Sequence, residues 1–105
     1  MDEYYLVITS WPDFAGAKKQ ARSWLQKKLA ANINILPQME SIYHWDNEIR
    51  SGNEHQMLIK TSAHRVDALE QEIRRVHPYA VAEILRIAID SGNPDYLDWI
   101  SQATR

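Results

Sequence analysis

The amino-acid sequence predicts an α+β fold in which one antiparallel sheet carries two main helices on a single face and a short helix closes the chain. Three observations predict it. Strand-like runs and helical periodicities follow one another in the order β, α, β, β, α, β, α. A chain of 105 residues suits one domain, 1–105, and a domain of that size buries between about 60% and 70% of its unfolded surface, enough for one core without staples. The stretch from Asn32 to Thr61 reads as two long strands folded back at Asp46-Asn47, residues that tolerate the positive φ a tight hairpin turn requires.

Taken in order, Tyr4 to Thr9 is β-rich, with Leu6, Val7 and Ile8 contiguous, as in a strand covered on both faces. Ser10-Trp11-Pro12-Asp13 breaks it, with Ser10 as the expected cap and Pro12 in the first turn of a helix. Phe14, Ala17, Ala21, Trp24, Leu25 and Leu29 then fall at helical spacing, giving about 16 to 18 residues of amphipathic helix. Its other face carries Lys18, Lys19, Arg22 and Lys27; without a companion aromatic or glycine loop these read as a solvated charged face. Pro37 marks a bend or an unpaired position in the following strand. Ser51-Gly52-Asn53 predicts a bulge or kink in the returning strand. Ser62 is the expected cap of a second helix with Val66, Leu69, Ile73 and Val76 as its apolar stripe and a Glu70–Arg74 pair outside. His77-Pro78 ends that helix, and Tyr79 to Ile89 alternates as a strand whose apolar stripe Glu83 interrupts. Asp90 to Pro94 turns into a closing helix with Tyr96, Leu97, Trp99 and Ile100. This order is the split βαβ arrangement of ferredoxin-like folds, here a βαββαβ sandwich with an extended hairpin and a C-terminal short helix.

The ribbon outgrows its domain. An extended run from Asn32 to Trp45 reaches about 45 Å, whereas a compact globule of this length is about 35 Å across. Its far end carries Ile42, Tyr43, Trp45 and Ile49, side chains poorly suited to water along a pairable edge. Self-association is therefore expected, with these four as interface anchors.

Bulk composition excludes several classes of function. Twelve basic and 14 acidic residues are interleaved for a net charge of −2, which argues against a nucleic-acid surface. No apolar stretch approaches the ~20 residues of a membrane span, and the start of the chain does not read as a signal peptide, so a cytoplasmic protein is expected. With zero cysteines there is no disulfide framework and no thiolate metal site. Only three glycines occur, and none cluster to cradle phosphates. Ser10, His77 and Glu83 lack a nucleophile elbow or oxyanion loop, so the expected protein is not an enzyme.

Several motifs together carry a family resemblance. Thr9-Ser10-Trp11-Pro12-Asp13, KKLAANINILP (Lys27 to Pro37), SIYHWDNEI (Ser41 to Ile49), MLIKT (Met57 to Thr61), HPYAVAEI (His77 to Ile84) and DSGNPDYLDWI (Asp90 to Ile100) resemble the CutA family of divalent-ion tolerance proteins, in order from about Leu6 to Ser101. The resemblance implies a ferredoxin-like subunit in a tight homotrimer, with strands of one subunit extending the sheet of the next. It also implies links to copper and other divalent ions. Some relatives are instead associated with membrane-enzyme localisation in animals, and the architecture resembles PII signalling proteins. The copper-associated positions it implies are a cysteine at the end of the first strand and two histidines before Pro-Tyr. Here they fall on Thr9 or Ser10 and on Val76-His77.

His77 is accordingly the candidate metal ligand, with neighbouring-subunit groups completing a weak site; as a helix-ending histidine it also has an ordinary structural role. Met39 and Met57 read as core filling, and Trp11, Trp24 and Trp99 as core. Glu83 must find a partner or an opening, and with Tyr79 it is expected to line an intersubunit cleft. The resulting expectation is a non-enzymatic cytoplasmic homotrimer of the divalent-cation tolerance type, with no required cofactor, Cu2+ or another divalent cation as its ligand, and no nucleic-acid or membrane partner. The alternative is a PII-like trimeric adaptor that binds a small ligand in the intersubunit cleft.

Overall fold

The computed structural model describes residues 3–105. Its elements are β1 (Tyr4–Trp11), α1 (Phe14–Gln26), β2 (Asn32–Ile35), β3 (Met39–Trp45), β4 (Glu48–Ser62), α2 (Ala63–Val76), β5 (Ile84–Ile89) and α3 (Pro94–Ala103). Every strand pairing is antiparallel, in the order β2-β4-β1-β5, with β3 paired to the outer half of β4. The predicted α+β ferredoxin-like order is thus present.

Alternation sorts this sheet into two unlike faces. Val7 lies opposite Ile59 and Arg86, while Thr9 lies opposite Met57 and Ile84. This parity faces the helices, where Val7, Met57 and Ile59 pack with Ala17, Ala21 and Trp24 of α1 and Val66, Leu69 and Ile73 of α2 in one buried cluster. The opposite parity carries Leu6, Ile8, Leu58, Leu85 and Ile87. Among the described residues no helix covers the middle of that face: Leu85 stays 53% and Ile87 45% exposed. One end of it is closed by α3, where Tyr4 bonds Ser101 at 2.6 Å and the buried Ser62 and Thr104 hydroxyls meet at 2.7 Å.

Several elements differ from their sequence prediction for identifiable reasons. β1 continues past Thr9 because Ser10 and Trp11 still pair with Gln56 and His55; Asp13, not Ser10, caps α1, accepting the Gly16 N–H at 2.7 Å. α1 has 13 residues and stops at Gln26. Lys28 adopts φ 60°, Leu29 N–H bonds the Trp24 carbonyl at 2.9 Å, and Lys28 N–H bonds that of Leu25 at 3.0 Å. That pattern satisfies the last carbonyls and brings Leu29 back against buried Trp24. Phe14 and Leu25 therefore sit on the exposed flank.

The ribbon is interrupted between Ile35 and Met39, around Pro37, as a missing ladder donor requires. Its turn is as predicted, with φ 52° at Asp46 and 62° at Asn47. Ser51-Gly52-Asn53 forms no bulge, since Ile42, Ser41 and Glu40 pair with them in unbroken register. The ribbon gives the molecule a long axis of 45 Å against 26 and 23 Å for the others.

The last strand is shorter than predicted. Residues 78–81 are bent, 82 and 83 are irregular, and Glu83 precedes β5 instead of interrupting it. Glu70 bonds Arg86 of β5 at 2.7 Å, not Arg74, so an intended helix-surface pair is in fact a tie from helix to sheet. Ser62 occupies the N-cap of α2, yet its hydroxyl turns to Thr104 and His64. Trp11, Trp24 and Met57 are buried as expected, whereas Trp99 is exposed beside Tyr96 and Met39 is only half-buried.

Two outcomes follow from this packing. An ideal Cβ on Gly16 would stand 2.8 Å from both Asp13 Oδ1 and Trp11 Nε1, so Gly16→Ala should lower the urea-unfolding free energy by about 1–3 kcal/mol despite the better helix propensity of alanine. Hydrogen bonds from Arg75 and then Lys27 hold the Glu72 carboxyl down at about 2, from an ordinary 4.5. Because the folded value is depressed, its stabilisation is full above the unfolded value and is lost as pH falls toward 2. Glu72→Gln should therefore flatten the fall in Tm between pH 4.5 and 2, measured by circular dichroism.

Candidate functional site

A cleft of about 760 Å³ opens on the helix-free side of the sheet, between the β3–β4 ribbon and residues 78–83. Strand alternation builds one wall. Ser41, Tyr43 and Trp45 share a face with their partners Gly52, Arg50 and Glu48, and Glu54 and Gln56 follow on β4 with the same parity. The structure brings Tyr79 and Glu83 to this cleft together with Ile42, Tyr43 and Trp45. Ile49 lies near the ribbon tip, outside the cleft lining; it is 73% exposed and Ile42 69%.

His77 sets the other wall. α2 ends there, with the His77 backbone N–H still bonded to the Ile73 carbonyl at 2.9 Å. The imidazole bridges back to the sheet at 2.7 Å from Nε2 to the Ser10 carbonyl, while Nδ1 lies 3.1 Å from the Tyr79 backbone N–H. A carbonyl can only accept and an amide N–H only donate, so Nε2 carries the proton and Nδ1 accepts. The ring also packs on Trp11 and Tyr79, with centroids at 4.6 and 5.1 Å. His77 thus positions Tyr79 for the cleft.

That geometry does not fit the metal role expected of His77. Both ring nitrogens are engaged, which leaves no lone pair for an ion, and metal coordination requires one. Among the described residues no three His, Asp or Glu side chains gather at metal-binding distance. His55 is turned to the Leu36 carbonyl at 2.9 Å, and His64 to Ser62 and Thr104. A single subunit therefore offers oxygen-rich polar chemistry in place of a soft-metal centre.

The polar groups of the cleft form two hydrogen-bonded pairs. Ser41 donates to Glu54 at 2.6 Å, and Gln56 Nε2 reaches Glu83 at 3.4 Å. Glu83 thus has a neutral donor beside it and no cation within ion-pair distance among the described residues. Burial, and after it the Glu54 charge, push the Tyr79 hydroxyl above its usual range. Glu54, Gln56 and Ser41 were not singled out from sequence. Their common parity with Tyr43 across the Asp46-Asn47 turn is the signal that places them together.

Comparison with known proteins agrees with the fold and its motifs. The family model described as CutA1 divalent ion tolerance protein matches residues 5–103. The chain is 44% identical over 98 residues to Protein CutA of Mus musculus, covering 93% of this chain and 55% of the mouse protein. It thus spans about half the length of the mouse and human relatives it matches. It is 35% identical over 99 residues to the divalent-cation tolerance protein CutA of Thermus thermophilus, covering 94% and 96% of the two chains. The crystal structure of CutA1 from Oryza sativa superimposes with a TM-score of 0.94 at 34% identity, over 98% of this chain and 94% of that one.

The two-sided bonding of His77 predicts a structural phenotype. His77→Ala should lower the unfolding free energy by about 1–3 kcal/mol, since it removes one partner from each of two polar groups. Equilibrium dialysis of the folded variant against Cu2+ should return wild-type stoichiometry and affinity; a lost copper equivalent would restore His77 as a ligand.

Proposed function

The chain belongs to the CutA1 divalent ion tolerance protein family, and on that premise we propose that it acts as a non-enzymatic homotrimer serving divalent-cation tolerance. The observation that carries the proposal is the bare apolar face of the sheet. Leu85 and Ile87 are about half exposed in a subunit whose opposite sheet face carries the buried core, and burying such side chains is worth roughly 1.5–3 kcal/mol each. In the proposed trimer a neighbouring copy covers this face, and the ribbon tips with Ile42, Tyr43, Trp45 and Ile49 are the anchors between subunits. The cleft of Tyr79 and Glu83 then lies at a subunit boundary.

Cu2+ or another divalent cation is the proposed ligand, held weakly and by groups from more than one copy, because one subunit gathers no ligand set of its own among the described residues. No helix among the described residues is long and apolar enough to cross a membrane. The cytoplasm is the proposed compartment, one in which a chain without cysteine forgoes nothing.

Cells lacking their own member of this family, grown under rising copper, test the role. The wild-type chain should restore growth, and Leu85→Asp/Ile87→Asp, expressed to the same level, should elute as smaller particles on gel filtration and fail to restore it. Growth unaffected by the wild-type chain would refute the tolerance role.

A further inference from the structure

We propose that the cleft between the ribbon and residues 78–83 receives a positively charged nitrogen, an ammonium or guanidinium head group. The inference rests on the reading above only in placing the cleft at a subunit boundary. Its first support is Ser10. This residue is only 2% exposed, it lines the cleft, and its hydroxyl makes no hydrogen bond with the described residues. The residue is buried but its hydroxyl opens on the cleft with no protein partner, so it is free to accept a bond from a ligand there.

The second support is the charge around it. Glu54 and Glu83 line the cleft with neutral donors beside them, Ser41 at 2.6 Å and Gln56 at 3.4 Å. Arg50 lines it too, but its guanidinium pairs with Glu48 at 3.3 Å. Tyr43 and Trp45 supply aromatic rings along the same wall. Carboxylates and a hydroxyl can accept the several N–H donors of an ammonium or guanidinium, and aromatic faces attract the same charge. A small metal ion is served less well, since three acidic or histidine ligands are not gathered here among the described residues. The volume suits a small organic molecule or the end of a long basic side chain.

The charged head group has two possible sources, a free amine or a lysine or arginine of a neighbouring copy, and one set of proteins separates them. The full chain is titrated calorimetrically with putrescine, with 1,4-butanediol as the uncharged control, alongside Glu54→Gln and Glu83→Gln; all are also sedimented. A free-amine site gives one putrescine per chain, no heat from the diol, and binding weakened about tenfold or more in each variant, as loss of a charge-assisted bond requires. A site filled by a neighbour gives no putrescine binding but weaker assembly in both variants. An assembled wild-type protein with neither effect, or one that binds only Mg2+ there, overturns the inference and leaves the trimer standing. A monomeric wild-type protein instead overturns the trimer, and the putrescine titration still decides the cleft.

Discussion

The structure depends on an imbalance between the two faces of one sheet. On one face α1 and α2 bury a continuous apolar layer around Trp24, Met57, Ile59 and Leu69. On the other, Leu6, Ile8, Leu58, Leu85 and Ile87 have α3 at one end and an open cleft at the other. A strand period of two makes this unavoidable: once Val7 and Ile59 point at the helices, the residues between them point away. Along β1, the middle of β4 and β5 those residues are apolar too, so the centre of the sheet is written for cover on both sides while the subunit supplies it on one. The protruding ribbon has the same incompleteness, since the isolated two-stranded end carries Ile42 and Ile49 into solvent.

His77 links the fold to the cleft. Its side chain ties the end of α2 to the end of β1 and fixes the backbone at Tyr79, so a residue lying outside the cleft lining sets the geometry of its wall. The same hydrogen bonds remove it as a metal donor. A single subunit thus offers no soft-metal centre at His77, and the Ser41–Glu54 and Gln56–Glu83 pairs offer different chemistry.

Much of this was legible in the sequence where local chemistry and tertiary demand coincide. The Asp46-Asn47 turn, the stripe of Val66, Leu69 and Ile73, and the order of elements follow from φ tolerance and periodicity. What sequence missed came from competition between partners. Ser10 looked like a helix cap, but the β1–β4 ladder claimed its backbone and Asp13 took the cap. Gly52 looked like a bulge, yet the register of the ribbon holds through it. Glu70 had a helical partner at the right spacing, and β5 presented Arg86 closer. The role of His77 was the hardest to read, because the Ser10 carbonyl it bonds lies 67 positions away.

The proposed trimer requires that this polypeptide leave an apolar sheet face bare as a subunit and cover it with copies of itself. Sedimentation equilibrium of the full chain at micromolar concentration tests that claim most directly. The trimer predicts a single species of three times 12.3 kDa. A folded, solitary 12.3 kDa particle would contradict it.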